Sequence, residues 1–154
     1  MIKNVRYVHT NIVSENWEKL AQFYENVFGC TRVLPERDLS GRWIEDATGI
    51  INVHIKGIHL RLPGCGETGP TLEIFQYNRS ISQDSKEVNG TGIAHIAFHV
   101  DDVENSIDEI LINGGSQLGR VSVKDMPGVG KLKFVYAKDP EGNIIELQNW
   151  NKNY

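Results

Sequence analysis

YVHTNIVSENWEKLAQFYENVFGC (residues 7–30) and IAHIAFHVDDVENSIDEILINGGS (93–116) are two versions of one pattern. Slid by 86 positions, His9 falls on His95, Glu18 on Glu104 and Gly29 on Gly115. Each copy opens on a short alternating strand, 5–13 and 93–101, that leads into an amphipathic helix, about 15–28 and 102–113. Leu20, Ala21, Tyr24, Val27 and Phe28 form the apolar stripe of the first helix; Val103, Ile107, Ile110 and Leu111 form that of the second. Gly29 and Gly115 suit the left-handed residue that ends a helix.

The repeat resumes where GPTLEIFQY (69–77) matches GNIIELQNW (142–150) at an offset of 73, with Glu73 on Glu146 and Tyr77 on Trp150. The first copy is therefore 13 residues longer, and SGRWIEDATGI (40–50) is the natural insert, a short helix or lid. Later strands are expected at 30–38, 52–62 and 71–77, and at 116–123, 131–138 and 143–149. The chain reads as one domain, 1–154, of two βαβββ modules at 5–77 and 91–150, joined by a polar connector at 78–90. The fold class is α+β. Asp139-Pro140-Glu141-Gly142-Asn143 reads as a tight turn, because proline presets one dihedral and glycine supplies another.

Strand alternation then decides which side chains share a face. Ile96, Phe98 and Val100 point towards the helices, so His95, Ala97 and His99 point to the open side. Ile145 and Leu147 face inward, and Glu146, Gln148 and Trp150 face out. In the first copy Leu72 and Ile74 face inward; Glu73, Phe75 and Tyr77 face out. Each module thus carries a histidine on its first strand and a glutamate on its last. Pairing the modules about a pseudo-twofold axis converges His9, Glu73, His95 and Glu146. Two nitrogen and two oxygen donors suit one divalent ion (Zn, Ni, Co, Mn or Fe(II)) with positions left open for water or substrate. The absence of thiolate argues against a closed structural zinc site.

Bulk properties exclude other classes. Hydrophobic residues make up 40% of the 154-residue chain and charged residues 23%, a globular balance. A net charge of -4 with no long basic run argues against nucleic acid. No apolar stretch approaches the roughly 20 residues of a membrane span, and MIKNVRYVHT has no apolar signal core. Cys30 and Cys65 share no metal-binding spacing, and reduced thiols in a cytoplasmic protein are the economical expectation.

HTNIVSENWEKLAQFYENVFG (9–29), LEIFQY (72–77), GIAHIAFHVDDVE (92–104) and YAKDPEGNIIEL (136–147) resemble the vicinal oxygen chelate superfamily. Its members include glyoxalase, methylmalonyl-CoA epimerase, extradiol dioxygenases, fosfomycin-resistance enzymes and bleomycin-binding proteins. The resemblance implies a curved mixed sheet enclosing a metal. The ligand order His9, Glu73, His95, Glu146 is similar to that of bacterial glyoxalase (lactoylglutathione lyase). The epimerase has glutamine where this chain has Glu73, and the dioxygenases use three ligands. Val13 and Tyr77 stand where glyoxalase carries its glutathione-gripping arginine and asparagine, which puts glutathione itself in doubt. What the resemblance implies is a metal-dependent lyase or isomerase of a small carbonyl or thioester substrate, with proton transfer through a metal-stabilised enediolate. Glu146 would be the base, Glu73 its partner, and the protein a homodimer. The alternatives are an epimerase-like racemase and an antibiotic-binding protein without chemistry.

Other residues carry plainer expectations. His99 reads first as a solvated rim histidine and second as a substrate contact. The facing of His54 and His59 is left undecided by Gly57, and both read as surface residues. Arg42 and Arg61 could hold a carboxylate or phosphate, with a solvated role as the plainer reading. Trp43 either caps the pocket or packs; Phe75, Tyr77 and Trp150 either wall the pocket or join the core. Cys30 reads as buried, and Cys65 as a loop thiol.

Overall fold

The computed structural model describes residues 1–81 and 86–151, so positions 82–85 of the expected connector and the last three residues lie outside the described residues. The chain divides into two compact units, Met1–Ser82 and Gln83–Tyr154. The first contains β1 (His9–Val13), α1 (Trp17–Phe28), β2 (Thr31–Ser40), α2 (Arg42–Thr48), β3 (His54–Arg61) and β4 (Thr71–Tyr77). The second contains β5 (Ile96–His99), α3 (Val103–Ile112), β6 (Ser116–Met126), β7 (Gly130–Lys138) and β8 (Ile144–Asn151). Each unit builds one four-stranded mixed sheet, in the orders β1-β4-β3-β2 and β5-β8-β7-β6. In each, the first strand runs parallel to the last strand and the other pairs are antiparallel. The architecture is α+β, a βαβββ module twice, with α2 as the expected insert in the first.

The long helices start alike. Asn16 accepts a hydrogen bond from Lys19 N–H at 3.1 Å, and Asp102 accepts one from Asn105 N–H at 3.0 Å, satisfying amides that the helix leaves free. Helix α1 lies against β3 and β4, and seals Leu20, Ala21, Phe23 and Tyr24 over Ile58, Leu60, Leu72 and Ile74. Helix α3 lies against β6, β7 and β8, burying Val103, Ile107 and Ile110 with Val135, Ala137, Ile145 and Leu147. Leu111, expected in this stripe, is 48% exposed, because the buried spacing of four then three leaves it off the contact line. Full burial of each large aliphatic side chain stabilises by about 1.5–3 kcal/mol.

The helix endings differ from one another. Gly29 closes α1 at φ 67°, with its N–H on Glu25 O at 3.1 Å. In the second unit Gly114 (φ 88°), not Gly115, takes the left-handed position, because α3 ends earlier in the repeat than α1 does. Gly115 is needed for space instead. A Cβ there would stand 2.5 Å from Lys138 O and 2.6 Å from Ile110 Cγ2. Strands β1 and β5 are shorter than expected at their starts because each is an edge strand held by a single neighbour, whose ladder begins at Thr71 opposite His9 and at Ile145 opposite Ile96. The Asp139 turn forms as expected: the buried carboxylate accepts from Glu141 and Asn143 N–H, both at 2.9 Å.

The insert packs through Ile44, which joins Val53, Ile55 and Phe75 in a small core with Leu39 and Tyr77 against it. Gly57 makes room for that core: a Cβ there would meet Phe75 Cδ1 at 2.6 Å and Ile74 O at 2.1 Å. Gly57 does not disturb the alternation of β3. The β3–β4 ladder is unbroken from Ile55–Tyr77 to Arg61–Thr71, and the irregularity falls in β2, between Val33 and Arg37.

Two predictions follow from this packing. Gly115→Ala is expected to lower unfolding free energy by about 1–3 kcal/mol, the range for an overpacked site, measurable by urea denaturation. Cys30 is buried, and desolvation first, then the Glu25 carboxylate, push its pKa up to about 11, whereas Cys65 is exposed. At neutral pH a disulfide reagent should therefore titrate Cys65 rapidly in the native protein and reach Cys30 only after unfolding.

Candidate functional site

The strand ladders array the open face of the first sheet in rows across β1, β4 and β3: His9–Thr71–Arg61, then Asn11–Glu73–His59, then Val13–Phe75–Gly57. Leu72 and Ile74 are sealed under α1, which obliges Glu73 to project to the other face, where its surroundings leave it 7% exposed. Its carboxylate is held at both oxygens. Oε1 lies 3.3 Å from His9 Nδ1 and 2.9 Å from His59 Nε2, and Oε2 accepts from Asn11 Nδ2 at 3.3 Å. The His59 ring meets the edge of Phe75 at 5.6 Å and that of His9 at 6.1 Å. Desolvation lowers the His59 pKa; Arg37 and His9 act in the same direction against the opposing pull of Glu73.

In the second unit the corresponding row is Ala97–Glu146–Tyr136. His95, one residue ahead of β5, places Nε2 3.2 Å from Glu146 Oε2, and its ring tilts over Tyr136 at 5.2 Å. Burial, and then the hydrogen bond and charge of Glu146, raise the Tyr136 pKa. The structure thus brings His9 together with Glu73, and His95 together with Glu146, each pair within its own unit. Among the described residues no group of three or more His, Cys, Asp or Glu side chains forms a ready metal cage.

The donor chemistry of the pairs fits a borderline divalent ion. Two donors at about 2.1 Å from a common ion, at tetrahedral to right angles, lie roughly 3.0–3.4 Å apart. The imidazole–carboxylate separations of 3.3 Å and 3.2 Å fall inside that window. Either pair could therefore enter one ion's coordination shell with little rearrangement of its two side chains.

The remaining candidates sort by packing. His59, expected at the surface, is a correction: its side chain is 20% exposed and faces Glu73, because the β3 ladder keeps its register through Gly57. His54 is a surface residue, 40% exposed and paired with Asp38 at 2.5 Å. His99 is an exposed residue of β5. Phe75 belongs to the small core under α2, with Tyr77 half-buried against it. Trp43 neither packs nor lies under cover: it is 59% exposed, because Ile44 is the α2 residue that turns inward. Trp150 is half-buried and donates Nε1–H to Gln148 Oε1 at 2.7 Å. Arg42 pairs with Asp46 in solvent. Arg61 differs from Arg42, since its Nη1 is buried without a hydrogen-bond partner among the described residues.

Three contributors escaped the sequence reading. Asn11 lies two residues beyond His9 and so shares its face. His59 is flanked by Ile58 and Leu60, and Tyr136 by Val135 and Ala137; this apolar bracketing was the available signal for both.

A duplicated βαβββ frame with an imidazole–carboxylate pair in each half defines the class. The chain belongs to the Glyoxalase/Bleomycin resistance protein/Dioxygenase superfamily, whose model matches residues 6–147. Among solved structures it is similar to a glyoxalase family protein from Bacillus cereus, at 19% identity over 99% of both chains with a TM-score of 0.82. A glyoxalase I mutant from Zea mays matches at 20% identity over 92% of this chain and 45% of that one, with a TM-score of 0.65. A virulence protein from Salmonella typhimurium matches at 18% identity over 98% and 100%, with a TM-score of 0.55. No curated protein sequence matches the chain. No helix among the described residues is long and apolar enough to cross a membrane.

Proposed function

We propose that His9, Glu73, His95 and Glu146 together hold one divalent metal ion (Zn, Ni, Co or Mn), and that the protein is a lyase or isomerase moving a proton next to a carbonyl. The observation that carries this reading is the matched donor spacing in the two units, 3.3 Å and 3.2 Å. When bound, the ion supplies Lewis acidity at the substrate oxygen. The chain's residues do the rest. Glu146 would take the proton and return it, and Glu73 would be the carboxylate that holds the ion. The difference in anchoring supports that division: among the described residues His9, His59 and Asn11 bond Glu73, whereas Glu146, its side chain 16% exposed, is bonded by His95 and Tyr136. A base that must leave and return is better held loosely.

The substrate in this reading is a 2-oxo acid derivative, hemithioacetal or acyl thioester, bound by one domain, 1–154, whose modules at 5–77 and 91–150 are joined by 78–90. The protein would act in the cytoplasm as a homodimer, the state often found in this family. Arg61 supports an anionic substrate group. Its Nη1 is buried without a partner among the described residues, and it shares an open-face row with His9. An uncompensated buried guanidinium nitrogen favours a carboxylate, which it can meet in a bidentate pair.

Elemental analysis of chelator-free protein should find stoichiometric metal, which Glu146→Gln reduces. Wild-type protein should wash solvent deuterium into methylglyoxal–thiol adducts or acyl thioesters, and Glu146→Gln should slow that exchange by about 10²–10⁴-fold. Absence of metal would sink the reading; metal without exchange would leave only binding. For a substrate that responds, Arg61→Leu should raise KM for the carboxylate form by about 10–100-fold with kcat little changed, and leave its neutral ester unaffected.

A further inference from the structure

We propose that His59 is a positioning residue: its imidazole fixes the Glu73 carboxylate in the orientation that presents it to the metal. The inference rests on the metal reading above and extends it to a residue outside the four ligands. His59 lies directly opposite Glu73 on the neighbouring strand, and its Nε2 is 2.9 Å from Oε1, the shortest of the three contacts to that carboxylate. Its other ring nitrogen, Nδ1, stands 3.4 Å from Thr71 Oγ1. With the Thr71 hydroxyl donating to Nδ1, the proton of a neutral ring sits on Nε2 and points at Glu73. The ring is held from the side by Phe75, whose seating depends on the missing Cβ of Gly57.

A carboxylate oxygen carries two lone pairs. The His59 bond occupies one on Oε1 and leaves the other for an ion shared with His9. Asn11 holds Oε2 and thereby stops the group from rotating. Partners of this kind, one shell out from the ligands, are commonly worth 10–100-fold in metal affinity. In the second unit Tyr136 occupies the His59 position and hydrogen-bonds Glu146, but Ala97 occupies the Asn11 position, so the amide restraint is not repeated there.

The test is Co²⁺ binding to the metal-free full chain, by chelator competition and visible absorption, alongside apoprotein melting. His59→Phe should weaken Co²⁺ binding by about 10–100-fold with the apoprotein Tm retained. His59→Gln, which still offers an N–H, should recover most of the affinity. In a Glu73→Gln background, His59→Phe should cost little more, since its partner is already gone. If His59→Phe melts early, Thr71→Val carries the test, with a few-fold loss expected from releasing the tautomer (about 1 kcal/mol or less). Wild-type affinity in His59→Phe, or in that case in Thr71→Val, overturns the inference. Equal loss in His59→Gln with altered absorption bands also overturns it, making His59 a ligand instead. A wild-type protein that binds no Co²⁺ overturns the metal reading itself, which separates the two failures.

Discussion

A carboxylate on the central strand of the first sheet is the constraint to which its neighbours answer. Strand β4 lies between β1 and β3, and the burial of Leu72 and Ile74 under α1 leaves Glu73 only the opposite face. At 7% exposure an unpaired carboxylate there would cost several kcal/mol in lost hydration. His9 and Asn11 reach it from the parallel edge strand and His59 from the antiparallel neighbour, so both oxygens are met. The parallel and antiparallel ladders thus do more than build a sheet. They bring two imidazoles and an amide, distant in sequence, onto one charge.

The duplication repeats the frame and relaxes the restraint. Ala97 stands where Asn11 stands in the first unit, and Tyr136 where His59 stands. Glu146 keeps its histidine partner at nearly the same distance and has the Tyr136 hydroxyl in place of the second imidazole, but it loses the amide. Two halves that offer the same donors therefore hold them with different stiffness. In the proposed proton-transfer site the two would divide the work: the fixed carboxylate would keep the ion in place, and the looser one would exchange ion for substrate. Equivalence in sequence position does not require equivalence in role.

The fold was legible because periodicity and repetition agree. The helices, the order of strands and the insert at 40–50 all followed from alternation, helical stripes and offsets, none of which depends on distant contacts. Four facing assignments, at His9, Glu73, His95 and Glu146, came from the same rule. His59 was lost for a local reason: a glycine inside a strand often marks a bulge, whereas Gly57 admits the Phe75 ring and the bulge falls in β2. Gly115 was misassigned in a similar way, since the offset of 86 does not reveal that α3 stops short of its counterpart. Trp43 and Phe75 depended on which side of a seven-residue helix turns inward, and one short helix carries too few turns to display a stripe.

The insert sharpens the contrast between the halves. Helix α2 has no counterpart in the second unit, and through Ile44 it covers the Phe75–Tyr77 end of the first open face. That end becomes a small apolar core, so the polar residues gather at the other end, in the rows of His9 and Glu73. The same core holds Phe75 beside His59, and His59 beside Glu73. In the second unit, Leu132 and Phe134 lie on the corresponding stretch of β7 and remain half-buried, and no helix joins β6 to β7. A short helix absent from one copy of a repeat thereby reaches a carboxylate it does not touch. It does so by packing alone: an aliphatic side chain seats a ring, the ring steadies an imidazole, and the imidazole holds the charge.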